Sequence, residues 1–345
     1  MPPLRIGLAY NEKPSAEDEP PGSPRPIGDE YAEWDDPSTI AAVEAALAGA
    51  GQVIRLEADE SFPARLQDSR PDIVFNIAEG LHGPNREAHV PAICEFFAVP
   101  YTGSDPLTLC LSLDKRRAKG VWSAEGVRTP AGVVVSGAGD RSLALRVPLP
   151  AMVKPLFEGS SKGIPESALC ANPDDVLARV DAVLEEYRQP AIVEEFLPGR
   201  EFTVAIIGNG AAARALPLVE IRFDALPAGA KPIYGYEAKW IWDTPERPLQ
   251  IFRCPAEVDT ALEAEITRTA LAAYRALGCR DWGRVDLRMD AAGRPGVLEI
   301  NPLPGVLPDP EQNSCFPKAA RAAGIHYDDL IRTVLRAGLE RYGLT

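Results

Sequence analysis

Apolar positions in the first hundred residues fall in short runs separated by polar stretches with helical spacing. Arg5-Ile6-Gly7-Leu8-Ala9 has the length and apolar character of a buried parallel strand. Asp36 offers an N-cap and Pro37 a first helical residue. Ile40, Val43 and Leu47 then recur on one helical face, and Gly51 supplies a stop. Val53-Ile54-Arg55-Leu56 and Ile73-Val74-Phe75-Asn76 repeat the strand pattern. Strands alternating with helices predict a doubly wound parallel sheet, with ligands beyond the carboxyl ends of its strands. Between the first strand and helix, Glu12 to Asp35 holds eight acidic residues and five prolines. So little apolar surface predicts a long mobile loop, placed where a substrate loop would sit or simply inserted there.

The pattern changes after Ser104. Leu113-Asp114-Lys115 leads into a helix, and Ala151-Met152-Val153-Lys154-Pro155 reads as a strand. Val176 to Tyr187 is amphipathic, with Val176, Val180, Val183 and Leu184 on one face, and Ala191 to Leu197 is a further strand. Beyond lie strand-like segments at Phe202 to Ile207, Leu216 to Ile221, Arg284 to Leu287 and Val297 to Asn301. These shifts divide the chain into units over 1–104, 105–194 and 195–345.

Composition narrows the function classes. A chain of 345 residues with 46% hydrophobic and 25% charged residues has the make-up of a soluble protein of two or three domains. A net charge of −14 argues against a general nucleic-acid binder. No stretch approaches the ~20 apolar residues of a membrane span, and the run from Leu4 to Ala9 is too short for a secretory signal. A cytoplasmic location is expected. The six cysteines are scattered, without the spacing of a zinc or redox motif, and read as small buried hydrophobes.

Candidate chemistry gathers in a few segments. Period-two alternation puts Arg284 and Asp286 on one face of a strand, and Glu299 and Asn301 on one face of another. Side by side, those strands would converge hard oxygen ligands suited to Mg²⁺ with a guanidinium able to neutralise a phosphoryl group. Apart, they would be solvated strands with ordinary charges. Glu158-Gly159-Ser160-Ser161-Lys162-Gly163 follows a strand and can bring backbone N–H groups to phosphate oxygens, although it is not a Walker A loop. Lys154 and Lys115 either reach solvent or aim at an anion. His82 lies on the loop after the strand ending at Asn76 and is a candidate substrate contact.

Together these segments resemble the D-alanine–D-alanine ligases of the ATP-grasp superfamily. The resemblance rests on LHG (81–83), PYTGS (100–104), SLDK (112–115), VKPLFEGSSKG (153–163), GREFTVAI (199–206), YGYEAKW (234–240), LGCRDWGRVDLRMD (277–290) and LEINPLPG (298–305). It implies an ATP-grasp fold, in which an N-terminal α/β substrate domain precedes central and C-terminal α+β domains that clamp ATP. It further implies a ligase that joins a carboxylate to an amine through an acyl phosphate, with ATP and two Mg²⁺ ions (or Mn²⁺), acting on small amino-acid substrates as a homodimer. The reaction would serve peptidoglycan biosynthesis or, with other amino acids, a specialised pathway. A nucleotide-binding sensor without catalysis is the alternative of another class.

By the same resemblance, Lys115, Lys154, Ser160 and Ser161 hold the ATP phosphates. Glu194 and Leu197 flank the adenine, and Glu201 the ribose. Asp286, Glu299 and Asn301 are the metal ligands. Arg284, with a backbone N–H near Gly305, stabilises the reacting oxyanion, and Lys239 sits on the closing loop. His82, Glu87 and Ser314 fall near the substrates, and Glu17 and Glu33 both match the N-terminal substrate glutamate. Three departures lie in the amino-acid half: Pro84-Asn85-Arg86-Glu87 replaces a glycine-rich acidic turn, Trp240 replaces a tyrosine, and Leu307 to Asn313 is inserted before Ser314.

Overall fold

The computed structural model describes residues 3–14, 31–244 and 247–345. The first sheet is parallel, with β1 (Arg5–Tyr10) between β2 (Gln52–Glu57) and β3 (Ile73–Asn76). Strand alternation sends Ile6 and Leu8 to one face and Ala9 to the other. Helix α1 (Pro37–Ala48) covers the first face with Ile40, Val43 and Leu47. Helices α2 (Phe62–Ser69) and α3 (His89–Phe96) cover the second with Phe62, Leu66, Val90 and Cys94.

Two local expectations change here. The Asp36 side chain forms no cap bond and pairs instead with Lys13 at 3.4 Å. Helix α1 ends at Ala48, capped by Gly49, so Gly51 has another task. A Cβ at Gly51 would lie 2.2 Å from the Leu4 carbonyl oxygen, so a glycine lets the chain pass β1 and enter β2. Residues 15–30 of the expected loop lie outside the described residues, but its two ends meet. Lys13 N donates to Asp35 O, and Asp35 N to Asn11 O, both at 3.0 Å.

Helices α4 (Pro106–Leu113) and α5 (Lys115–Ala124) follow, with Asp105 and Asp114 as side-chain N-caps. The next sheet is antiparallel, in the order β4 (Gly132–Val135), β7 (Ala191–Glu195), β5 (Ala151–Pro155), β6 (Leu169–Cys170). Helix α6 (Pro173–Glu186) packs on it through Val176, Val180 and Val183. The third sheet runs β11 (Phe252–Arg253), β10 (Val219–Ile221), β8 (Glu201–Ile207), β12 (Trp282–Met289), β13 (Pro295–Asn301), with β9 (Arg214–Ala215) also paired to β8. Helix α7 (Thr260–Ala276) covers one face, and α8 (Cys315–Ala322) and α9 (Tyr327–Tyr342) lie beyond.

The cores do not stop at the sheets. Ala118 and Trp122 of α5 join the core of α7, β8, β12 and β13, and Trp122 Nε1 donates to Ala273 O at 3.1 Å. Leu330, Ile331 and Val334 of α9 join the core of α1 and β1. The first sheet and the third are therefore packed as one body, with the middle sheet carried beside them. Among the described residues no helix is long and apolar enough to cross a membrane.

Candidate functional site

Strands β12 and β13 are antiparallel neighbours, and their register sets Asp286 opposite Glu299 and Arg284 opposite Asn301. All four side chains therefore share one face. Arg284 grips Asp286 with both ends of its fork, at 3.0 and 2.9 Å. That pairing outweighs burial and raises the arginine pKa further. Glu299 has no fork of its own, yet Lys115, Lys154 and Arg284 together overcome burial and keep it ionised. Lys115 Nζ lies 3.8 Å from Glu299 Oε2 and donates to the Glu158 carbonyl oxygen.

A second cluster lies on β5 and β7. Cross-strand pairing brings Lys154 towards Glu194, Nζ to Oε2 at 2.8 Å, and Lys119 takes the other oxygen at 2.9 Å. Glu194 is almost fully buried, but the two lysines outweigh desolvation and hold its carboxyl at about 2. The carboxylate aims the Lys154 ammonium, and Lys119 completes its own bonding on Thr129 Oγ1 and Leu298 O. Lys119 was missed in the sequence. It stands one turn after Lys115, and that i,i+4 spacing on α5 was the available signal.

Ser160 and Ser161 both adopt left-handed backbone, at φ 51° and 61°. Two such non-glycine residues in succession are strained, and the loop is held by contacts from opposite. Trp240 Nε1 donates to Ser160 O at 3.2 Å, and Ser161 Oγ to Tyr234 O at 3.0 Å. Lys239 and Trp240 lie in a single π turn over Ala238–Trp242. Burial, reinforced by Arg284, lowers the Lys239 ammonium to about 8. The Leu307–Asn313 segment ends in Asn313, whose amide donates to both oxygens of Asp243 at 2.8 Å and so ties the segment to that turn.

A cleft of about 490 Å³ gathers most of the predicted residues. Lys154, Ser160, Ser161, Glu194, Leu197 and Glu201 line it beside Arg284, Asp286, Glu299 and Asn301. Lys239, Gly305, Ser314, Glu33 and Glu87 complete its wall. Lys115 stands outside that lining, 3.8 Å from Glu299 on it. His82 does not join them; it is exposed on the outer side of its loop. The chain doubles back so tightly that a Cβ at Gly80 would lie 2.1 Å from Arg86 O, and the turn points Arg86 and Glu87 inward and His82 outward. Glu17 lies outside the described residues, and Glu33 is at the cleft. Cys315 also lines it, but burial pushes its thiol up to about 12, which removes it as a nucleophile.

Glu33 joins the strap after β1 to the serine loop. Arg86 donates to it at 2.7 Å, and Lys162 lies 3.0 Å away while also pairing with Glu158 at 2.6 Å. Neither cation had been singled out in the sequence. Burial resists the charge, but Arg86 and then Lys162 hold the Glu33 carboxyl at about 2, below its ordinary 4.5. A depressed folded-state pKa means stability that is fully present above pH 4.5 and lost as pH falls towards 2. In Glu33→Gln, the fall in unfolding free energy across that window should be shallower by up to about 1.4 kcal/mol per pH unit. Urea titrations at pH 4 and pH 3 measure it, and an unchanged slope rejects the pairing.

Residues 138–336 match the family model described as D-ala D-ala ligase C-terminus. The chain is 36% identical over 295 residues to a D-alanine–D-alanine ligase of Bordetella petrii, covering 85% of this chain and 84% of that one. A crystal structure of the D-alanine–D-alanine ligase of Bacillus anthracis complexed with ATP superposes with a TM-score of 0.72 at 23% identity, covering 99% of both chains. The VanG D-Ala:D-Ser ligase of Enterococcus faecalis gives the same TM-score at 20% identity, covering 97% of this chain and 99% of that one. Both likenesses extend through the three-sheet architecture.

Proposed function

Because the chain belongs to the D-alanine–D-alanine ligase family, we propose that its cleft joins a carboxylate to an amine at the expense of ATP. A carboxylate resists attack by an amine. In the proposed reaction one of its oxygens first bonds to the γ-phosphorus of ATP, releasing ADP and leaving an acyl phosphate. The amine of the second substrate then bonds to the acyl carbon, phosphate leaves, and the nitrogen gives up a proton. The observation that carries this reading is the facing pair Asp286–Glu299, with Arg284 and Asn301 on the same face, lining one cleft with Lys154.

The side chains suit the charges of that sequence. Lys154, aimed by Glu194, and Lys115 would attract phosphate oxygens. Arg284 would meet the oxyanion that forms as the amine attacks, with the backbone near Gly305 as a second donor. The side chain of Glu194 is committed to two lysines, so only the backbone around 194–197 remains for an adenine edge. Glu201, held by Arg288 at 2.8 Å, can accept from ribose hydroxyls. Trp240 and Lys239 over the serine loop would keep water from the acyl phosphate.

Mg²⁺ fits this donor set. Asp286, Glu299 and Asn301 present hard oxygens on one face, which the ion prefers. Among the described residues no three His, Cys, Asp or Glu side chains gather as a metal site, so nucleotide phosphates would have to complete the shell. Bound there, Mg²⁺ supplies charge screening for the transferring phosphoryl group.

The test is phosphate release from ATP with Mg²⁺ and a panel of D- and L-amino acids and amines, with the joined product identified by mass. Release that requires both a carboxylate and an amine partner is expected. Release confined to D-alanine assigns the cell-wall dipeptide. Release only with other pairs assigns the same chemistry to another pathway. ATP binding without turnover on any pair rejects the proposal.

A further inference from the structure

The loops after β1 and β3 place four carboxylates on one wall of the cleft: Glu33, Asp35, Glu79 and Glu87, with the Trp34 ring among them. Among the described residues Glu33 alone of the four is ion-paired, on Arg86 and Lys162, while Lys13 acts on Asp35 and Arg86 on Glu79 and Glu87 from beyond bonding distance. Glu87 is 9% exposed, lines the cleft, and makes no hydrogen bond or ion pair among the described residues. Glu79 likewise lines the cleft without a bonded partner among them. Burying a carboxyl group without a partner is costly, and packing several together compounds the cost. Burial lifts Glu87 to about 7 and Glu79 well above its ordinary value, and each of the two raises the other or is raised through Glu33. Such a wall is poised to gain a cation.

The family substrates named above carry one ammonium each. With Glu33 neutralised by its own arginine and lysine, one of the remaining carboxylates can meet an α-ammonium, and the others are left over. We propose that the substrate bound against this wall is a diamino compound, its second ammonium received between Glu87 and Glu79 beside Trp34. The inference rests on the ligase reading and adds the charge of the substrate to it.

Ornithine and norvaline, which differ by the terminal amino group, test it directly. In phosphate-release assays with each enantiomer, KM for ornithine should lie below that for norvaline on the order of 10²-fold. The gap should close in Glu87→Gln and, as a second variant, in Glu79→Gln. Equal KM values, or a preference for norvaline that survives both substitutions, overturn the diamine assignment while leaving a turning-over ligase intact. Calorimetric titration of the same two amino acids, without turnover, separates the two readings. Tighter ornithine binding that Glu87→Gln abolishes supports the wall even where no phosphate is released. Equal binding of the two rejects it.

Discussion

Glu299→Gln should lower ATP-dependent ligation by about 10²–10³ with the fold intact, the scale of losing one preorganised electrostatic group. The substitution keeps shape and one oxygen but removes the negative charge from a face crowded with cations. Glu299 balances Lys115 at 3.8 Å, and Lys154 and Arg284 also act on it. Asp286, directly opposite, is gripped by Arg284, so Glu299 is the less encumbered carboxylate of the pair. In the variant an amide N–H₂ would point a donor where the proposed Mg²⁺ site calls for an oxygen. Glu299 is a proposed Mg²⁺ ligand, so the rate should partly recover as Mg²⁺ is raised, since losing one ligand weakens the ion more than it distorts the nucleotide. Phosphate release at saturating ATP across a Mg²⁺ series measures both effects. A rate within twofold of the parent at every Mg²⁺ concentration would remove Glu299 from the reacting charges.

The shared face of Arg284, Asp286, Glu299 and Asn301 was legible because strand periodicity carries side-chain direction. Arg284, Asp286, Glu299 and Asn301 lie on two short strands, and the period of two states which residues share a face before any pairing is known. The pairing itself was not legible; it depends on β12 lying between β8 and β13, which no local pattern specifies. Helix α1 was readable from Asp36-Pro37 and its buried stripe, although its stop was assigned to a glycine that serves the next strand. Sequence position said less about loops. His82 and Glu87 are five residues apart on one loop, and the tight return at Gly80 turns one outward and the other inward. The partners of Glu33 come from two distant segments, Arg86 and Lys162, so its ion pairs exist only in the folded chain.

Asp281→Ala should destabilise the protein by about 3–5 kcal/mol, the cost of breaking a buried ion pair from one side. Asp281 is fully buried and connects four segments. Its carboxylate accepts from Gly103 N at 2.8 Å, Asn209 Nδ2 at 2.8 Å and Arg341 Nη2 at 2.8 Å. Removing it leaves the Arg341 guanidinium, only 16% exposed, without a counter-charge and with the carbonyls of Tyr101 and Gly103 as acceptors, and leaves the Gly103 N–H without its own. The backbone adds a second cost. Asp281 sits at φ 64°, where asparagine and glycine are tolerated and alanine is penalised by about 1–2 kcal/mol. Asn should therefore lose least, since it keeps that conformation and one carbonyl acceptor. Gly should lose the network but no conformational energy, and Ala should lose both. Because the staple joins the loop between α3 and α4 to the end of α9, its loss should also let the core that α9 shares with the first sheet loosen ahead of the core of α5 and α7. Urea unfolding followed by intrinsic fluorescence, in which buried Trp122 reports on the core of α5 and α7 and Trp282 on the core shared with α9 and the first sheet, and by far-UV dichroism measures the order and the spread. Coincident transitions with Ala within 1 kcal/mol of the parent would mean that α9 is held by its apolar face alone.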